Sequence, residues 1–103
     1  MATHLNIGGL VAVGFDKSGK YLLTVSHAGR GIFSTRTWVR VARDDALAYS
    51  ERGCAIGIGP IAGEQIAVVE RNYQTDQLSL VSPDGKFNLS YESGTLTVDN
   101  AAG

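Results

Sequence analysis

The residues of this chain whose types could do chemistry are two histidines, one cysteine and a glycine-rich segment. His4 and His27, with Lys20 nearby, are of the kinds that ribonucleolytic acid–base catalysis requires. Two surface histidines unrelated to each other explain the same residues, and we favour this interpretation because His27 stands beside Ala28 and Gly29 at an expected turn. A zinc site would need further His, Cys or carboxylate ligands at suitable spacing, and none stands out.

The glycine-rich segment contains Gly57-x-Gly59-x-x-Ala62, which matches a dinucleotide-binding pattern letter by letter. That pattern binds a pyrophosphate only where it opens a helix. Here Pro60 follows the second glycine, and the next run, residues 65–70, alternates as a strand does. We therefore predict a turn between two strands and no bound cofactor.

Cys54 and the neighbours Asp44 and Asp45 complete the chemical candidates. A cysteine nucleophile needs a base and an orienting group, whereas Cys54 follows Gly53 at the start of an expected strand, where a small buried thiol is usual. Adjacent aspartates on a strand point to opposite faces and cannot share a proton. The chain therefore has no convincing catalytic constellation, and we predict that it is not an enzyme and has no metal site.

Short runs of alternating apolar and polar residues fill the chain and predict half-buried strands. The expected strands are residues 4–7, 10–15, 21–26, 31–34, 37–43, 55–59, 65–71, 77–81, 86–92 and 95–99. Connections this short favour a single all-β domain over residues 1–103, an antiparallel meander of about 8–10 short strands. The meander can form a single twisted sheet, a sandwich or an open barrel. Residues 44–50 are the one helix candidate, and a loop is the alternative.

Three turns combine Asp or Ser with a following Gly, at residues 16–20, 82–86 and 92–94, because glycine accepts positive φ without steric cost. Residues 15–26 also align without gaps on residues 81–92, with glycine on glycine and lysine on lysine in the turn. A true duplication and two hairpins that obey the same turn rules both explain this match.

Residues 11–38 combine an apolar strand, a polar turn, a second apolar strand, a second polar turn and a short third strand. This order resembles the β-propeller repeat of the WD40 type. Phe33 and Ser34 stand where the family has its Trp-Asp dipeptide, so that signature is absent. The resemblance implies propeller-blade-like hairpins, and because a propeller has about four to eight blades, a ring would need several copies of this chain. A twisted antiparallel sheet within one chain explains the same pattern, and we favour it.

Charge is unevenly distributed along the chain. Residues 1–43 carry a net charge of +5 and residues 44–103 a net charge of −6, which together give the total of −1. Such asymmetry between halves points to charged partners.

The basic half ends in an alternating segment of arginines, a tryptophan and valines. Strand geometry puts Arg36, Trp38 and Arg40 on one face and Val39 and Val41 on the other. If the valines face the core, Trp38 stands outside between two arginines, and Trp and Arg are the residue types most enriched in binding hot spots. In the alternative, Trp38 anchors the core and the valines cover a second layer.

These features favour a non-enzymatic protein-binding domain. Its concrete form is a small cytosolic inhibitor of the immunity or antitoxin type, whose acidic half blocks a basic protein such as a nuclease toxin. The expected partner-binding residues are the acidic Asp44, Asp45, Glu51, Glu64, Glu70 and Asp76, together with Arg36, Trp38 and Arg40.

Three other functions stay open, one of which is an enzyme whose site is formed by residues dispersed along the chain. A lectin-like propeller assembled from several copies would bind a ligand at an edge formed by Trp38 and the arginines. A single-stranded nucleic-acid binder would meet phosphates with Arg30, Arg36 and Arg40 and stack Trp38 on a base, although the slightly acidic total charge disfavours it. No apolar run approaches the roughly 20 residues that span a bilayer, and no signal peptide is recognisable. We therefore expect a cytoplasmic protein and favour a monomer.

Overall fold

Alternation of apolar and polar residues produces an all-β structure. The computed structural model describes residues 3–45, 49–51, 53–72, 74–75, 77–92 and 94–100. Within them it forms twelve strands and one 3₁₀ turn, Gly59–Ile61. The strands are β1 Thr3–Asn6, β2 Leu10–Phe15, β3 Tyr21–Ser26, β4 Gly29–Ser34, β5 Arg40–Asp44, β6 Tyr49–Glu51, β7 Cys54–Ile56, β8 Gln65–Ala67, β9 Val69–Glu70, β10 Gln77–Val81, β11 Phe87–Glu92 and β12 Thr95–Asn100.

The strands form three antiparallel sheets, none of which closes into a barrel. The terminal sheet has the order β1-β12-β11-β10, the central sheet β5-β4-β3-β2-β9 and the small sheet β6-β7-β8. The predicted fold class, an antiparallel all-β structure built from hairpins, is therefore confirmed. Of the arrangements left open by the sequence, the structure has open sheets packed on one another.

The central sheet is covered on both faces because its strands carry continuous apolar runs. β2 is buried along all six residues, as expected of a strand between two layers. One face packs on the terminal sheet, through Leu10, Val13, Phe15, Leu22 and Phe33 against Leu78, Leu89, Tyr91, Leu96 and Val98. The other face packs on the small sheet and the 3₁₀ turn, through Ala12, Leu23, Val25 and Ile32 against Ala55, Ile61 and Ile66.

The first strand of the chain completes the sheet formed by the last three. β1 pairs with β12 from Thr3 opposite Val98 to Asn6 opposite Thr95. The blade-like stretch, residues 11–38, forms the meander of β2, β3 and β4, and β5 continues it as a fourth strand. One chain therefore forms two units of four neighbouring strands, β1-β12-β11-β10 and β2-β3-β4-β5, without strands from another copy.

The two self-similar hairpins share one hydrogen-bond scheme in which a carboxylate and a hydroxyl have exchanged places. In the β2–β3 turn, Asp16 accepts from the Ser18 hydroxyl at 2.6 Å and from the N–H of Tyr21 at 3.0 Å. In the β10–β11 turn, Ser82 takes the place of Asp16. Its hydroxyl accepts from the N–H five residues ahead at 3.0 Å and donates to Asp84 at 2.7 Å.

Several predicted elements are wrong in their bounds. The strand expected at residues 37–43 begins only at Arg40, because a turn precedes it, and the single strand expected at residues 65–71 is divided into β8 and β9. The helix candidate is wrong at both ends, since Asp44 closes β5 and Tyr49 opens β6. The residues between them, 46–48, lie outside the described part. Twelve short strands therefore replace the expected eight to ten.

Candidate functional site

β5 is an exposed edge of the central sheet. In the part of the chain that the structure describes, β5 pairs with β4 alone, so no described strand covers its outer row of backbone N–H and C=O groups. Val41, within β5, is 49 % exposed, and Val39, just before it, is 59 % exposed. An edge of this kind can template pairing with another chain.

A bulge at Val41 places Arg40 and Arg43 on the same face of the sheet. Arg40 lies opposite Phe33, and Arg43 lies opposite Gly31. Phe33 and Gly31 are two residues apart in β4 and therefore belong to one face, the face that packs on the terminal sheet. On a regular strand, residues three apart point to opposite faces. Because Val41 is an extra residue in β5, Arg40 and Arg43 point to the same face instead. Both are exposed.

Trp38 lies in the turn before β5 and not on a strand. Its N–H donates to the Ser34 carbonyl at 2.7 Å, and its φ is +58°, a left-handed conformation that is uncommon for a bulky side chain. The half-buried indole stands edge-on to Phe87, with ring centroids 5.3 Å apart, against the core of the terminal sheet. Trp38 therefore packs on the core, as the second alternative predicts, but the exposed Val39 and Val41 cover no second layer, and the interpretation that turns them to the core is also wrong.

A cleft of about 190 Å³ opens between the β1–β2 turn and the outer part of the central sheet. We name it the Gly31 cleft. Residues 6–8 form its wall, and its floor and rim comprise Thr24, Ser26, Gly29, Gly31, Arg40 and Arg43. A Cβ at Gly31 would lie 3.1 Å from Thr24 Oγ1 and 3.4 Å from Cδ of Arg40. The absence of a side chain at Gly31 therefore leaves the cleft open beneath the stem of Arg40.

Tyr91 of the terminal sheet holds the wall of the cleft in place. Its hydroxyl donates to the Ile7 carbonyl at 2.9 Å and accepts from the N–H of Leu10 at 3.4 Å. One buried side chain thus bonds both ends of the β1–β2 turn.

The hydroxyl groups on the floor of the cleft are already engaged as donors. Thr24 donates to the Gly31 carbonyl at 3.3 Å, and Ser26 donates to the Gly29 carbonyl at 3.2 Å. The side-chain donors left for a ligand are therefore the guanidinium groups of the rim and the side-chain amide of Asn6 in the wall.

The rim of the cleft has positive charge. Arg30 is neutralised by Asp44, with Nη2–Oδ2 at 2.7 Å and Nε–Oδ1 at 3.2 Å, and its Nη1 donates to a backbone carbonyl of β7. Arg43 has a long contact of 3.9 Å with Asp45, and both side chains are largely exposed. Among the described residues, no carboxylate lies within ion-pair distance of Arg40.

The other predicted acidic residues are distributed over different elements. Asp45 follows β5 and is exposed, Glu64 is half-buried just before β8, and Glu70 is exposed in β9, at the opposite edge of the central sheet. Asp76 lies outside the described residues, and so does the side chain of Glu51, whose backbone belongs to β6. The described acidic residues thus do not mark out one surface, whereas Arg40 and Arg43 belong to one edge strand and Arg36 lies in the turn before it.

The residues considered for catalysis have ordinary structural surroundings. His4 is exposed on β1 and shares a hydrogen bond of 3.2 Å with Thr97, and His27 is exposed in the turn after β3. Cys54 begins β7 and is half-buried. The segment around Gly59 forms a 3₁₀ turn that leads into β8, so the predicted turn between strands is confirmed. Over the described ranges, no group of three His, Cys, Asp or Glu side chains is arranged to hold a metal ion.

Sequence reasoning misses Arg43, Gly31 and Thr24, which help to form the cleft. The signal that could have found them is the pair of glycines two apart in β4, Gly29 and Gly31. On a strand such spacing leaves one face without side chains over two positions.

Comparison with known proteins gives no relative from which a function could be transferred. No protein family, curated protein or solved structure matches this chain. None of the helical structure in the described residues is long and apolar enough to cross a membrane. The function therefore has to be argued from the β5 edge and the cleft beside it.

Proposed function

We propose that this chain is a non-enzymatic protein-binding domain whose recognition element is the exposed edge of β5. Its partner presents an extended acidic segment, which adds to the central sheet as one more strand. In this mode of recognition, main-chain hydrogen bonds supply affinity and alternate side chains supply specificity. One observation carries the proposal: a backbone edge that no described strand pairs lies together with two exposed valines and the exposed Arg40 and Arg43, and the exposed Arg36 stands in the turn before β5.

The charge of the edge determines the chemistry of the partner. Arg36, Arg40 and Arg43 are exposed, and the one described carboxylate in ion contact with them is Asp45. A positive edge attracts an acidic segment, accelerates association and fixes its orientation. The opposite version, an inhibitor of the immunity or antitoxin type whose acidic surface blocks a basic nuclease toxin, remains a prediction.

Single-stranded nucleic acid is the main competitor for these arginines. Of the residues expected to bind it, Arg30 is tied to Asp44, and the indole of Trp38 packs on Phe87. Its stacking surface is therefore partly used by the core, and oligonucleotide binding becomes an outcome of the test. The lectin-like ring of several copies, the monomeric state and the cytoplasmic location likewise remain predictions.

Selection of random peptides displayed on phage tests the proposal even though the partner is unidentified. We expect enrichment of acidic sequences with alternating β-branched residues, whose synthetic versions bind more weakly as salt is raised, because exposed charges are screened. A basic or neutral consensus, no enrichment over a blank surface, or tighter binding of an oligothymidine of equal charge would contradict the proposal.

A charge variant of the edge locates the binding. The double variant R40Q/R43Q should weaken the selected peptides about fivefold, because two cross-strand ion pairs of about 0.5 kcal/mol each sum to about 1 kcal/mol. Retention of full affinity would mean that the peptides bind elsewhere.

The matched control removes the same charge from a different place. Lys17 and Lys86 are exposed in the β2–β3 and β10–β11 turns. The variant K17Q/K86Q should keep the affinity within about twofold at physiological salt, because neither lysine belongs to β5 and exposed charges away from the bound segment are screened there. Equal losses in both double variants would reveal a general charge effect, and the arginines would then serve only to protect the edge against self-association.

A further inference from the structure

We infer that the acidic segment carries two acidic side chains two residues apart, with an apolar residue between them, and that the Gly31 cleft receives the carboxylate beside Arg43. This inference rests on the proposed function, and it names the sequence pattern that the β5 edge recognises.

The spacing of the acidic residues follows from the bulge in β5. Arg40 and Arg43 lie on one face, opposite Phe33 and Gly31 of β4. A regular strand added on the outer side of β5 continues the same cross-strand rows. Because the two β4 residues are two apart, the side chains that reach the two arginines from the added strand are two apart as well.

The place of one carboxylate follows from the row that contains Gly31. Thr24, Gly31 and Arg43 form a single row across β3, β4 and β5. The next position in this row belongs to the added strand, so its side chain stands beside Arg43 at the mouth of the cleft. The hydroxyls of Thr24 and Ser26 on the cleft floor already donate to backbone carbonyls and have no further hydrogen to donate. The carboxylate is therefore held by guanidinium groups, whose planar fork matches it in geometry and charge.

The residue between the two acids meets an apolar surface. On an added strand its side chain points to the other face of the sheet. There the partly buried Ala42 packs with the cluster between the central and small sheets. An apolar side chain at this position extends that apolar surface, which completes the pattern acid, apolar, acid.

Three synthetic nine-residue peptides test the pattern against the full chain, by calorimetry and by amide chemical shifts. The first is Thr-Lys-Val-Glu-Val-Glu-Val-Lys-Thr, and the second replaces both glutamates by glutamine. The third, Thr-Lys-Glu-Val-Val-Glu-Val-Lys-Thr, has the same composition with the glutamates three apart. We expect the first to bind about fivefold tighter than the glutamine peptide, which lacks both cross-strand ion pairs, and about twofold tighter than the third peptide, which keeps one. The first peptide should shift the amide signals of Gly29 and Gly31.

Two single variants separate the cleft from the rest of the surface. R43Q should reduce the preference for glutamate over glutamine from about fivefold to about twofold, because it removes the guanidinium beside the cleft and leaves the ion pair with Arg40. K17Q is the matched control, since Lys17 is exposed in the β2–β3 turn and does not line the cleft. It should keep the preference. An equal reduction in both variants, or none in either, overturns the inference.

The outcomes distinguish this inference from the proposed function. If the two glutamate peptides bind equally and both lose affinity in R40Q/R43Q, the β5 edge binds acidic strands and the spacing inference is wrong. If none of the three binds while peptides selected from the library do, the inference is again wrong and the proposed function stands. If neither the designed nor the selected peptides bind at β5, both fail.

Discussion

Arg40 and Arg43 lie on the same face of the central sheet although they are three residues apart in β5, because they stand opposite Phe33 and Gly31 of β4. The bulged residue, Val41, absorbs the extra position. A strand that alternated regularly would turn one of the guanidinium groups to the face where the small sheet packs. The positive rim of the Gly31 cleft therefore depends on one unpaired residue in an edge strand.

Val41 should matter for binding and not for folding. The substitution Val41→Ser removes apolar contact from the β5 edge and should weaken β5-selected peptides about fivefold, which corresponds to roughly 1 kcal/mol of lost burial. Val81→Ser is the matched control, because Val81 is 57 % exposed on β10, which is also an edge strand. It should leave binding unchanged. Urea unfolding should differ from the original chain by less than about 0.5 kcal/mol in both variants. Equal effects on binding would place the peptides somewhere other than β5.

Tyr91 should stabilise the fold through its hydroxyl. Tyr91→Phe removes the bonds to Ile7 and Leu10 and leaves a carbonyl and an N–H in need of partners, so the free energy of unfolding should fall by about 1–2 kcal/mol. Tyr21→Phe is the control, since the hydroxyl of half-buried Tyr21 makes no hydrogen bond with the described residues, and its cost should stay below about 0.5 kcal/mol. Urea unfolding of both variants checks this. Equal costs would mean that the Tyr91 bonds add nothing net.

The ion pair between Arg30 and Asp44 should be costly to break from one side. The Arg30 side chain is 12 % exposed and that of Asp44 is 35 % exposed, so Asp44→Asn leaves a largely buried guanidinium without a counter-charge. We expect a loss of about 1–2 kcal/mol, less than for a fully buried pair because water reaches Asp44. Asp45→Asn, whose side chain is 91 % exposed, should cost nothing measurable. A negligible cost for Asp44→Asn in thermal or urea unfolding would show that solvent replaces the pair.

Local pattern is sufficient to predict β2, β3 and β10 at their observed residues. Each is an apolar or alternating run next to a turn whose glycine, such as Gly19 or Gly85, has positive φ. These features depend on residues adjacent in the chain. Sequence reasoning therefore predicts the bounds of a strand correctly where the strand pattern and the adjacent turn residues together determine where the strand begins or ends.

The binding edge cannot be predicted in the same way, because it depends on contacts between distant residues. Trp38 adopts a left-handed conformation and packs on Phe87, which is 49 positions further along the chain. The strand that periodicity predicts over residues 37–43 gives way to a turn there. The bulge at Val41 likewise has no local signature, so strict alternation would put Arg43 on the face opposite to that of Arg40. The sequence shows which residues are charged, but it does not show which of the charged side chains lie on the same face of a sheet.

Asp84 should make the β10–β11 turn sensitive to acid. The hydrogen bond from the Ser82 hydroxyl lowers the pKa of Asp84 below its ordinary value of 3.8, and the backbone N–H of Lys86 lowers it further. A carboxyl group whose pKa is lower in the folded state contributes stability above the pKa of the unfolded state and loses it as the pH falls through the folded pKa. The contribution is therefore complete at neutral pH and is lost below 3.8.

The substitution Ser82→Ala removes the largest cause of this shift. The pKa of Asp84, followed by carbon NMR of its carboxyl group, should rise towards 3.8. Ser79→Ala is the control, because Ser79 is exposed on the same strand, β10, and makes no hydrogen bond through its hydroxyl with the described residues. It should leave the titration unchanged. If Asp84 titrates in Ser82→Ala as it does in the original chain, the N–H and the charge of Lys86 are sufficient to lower the pKa of Asp84. The Ser82 hydroxyl would then not be the cause of the shift.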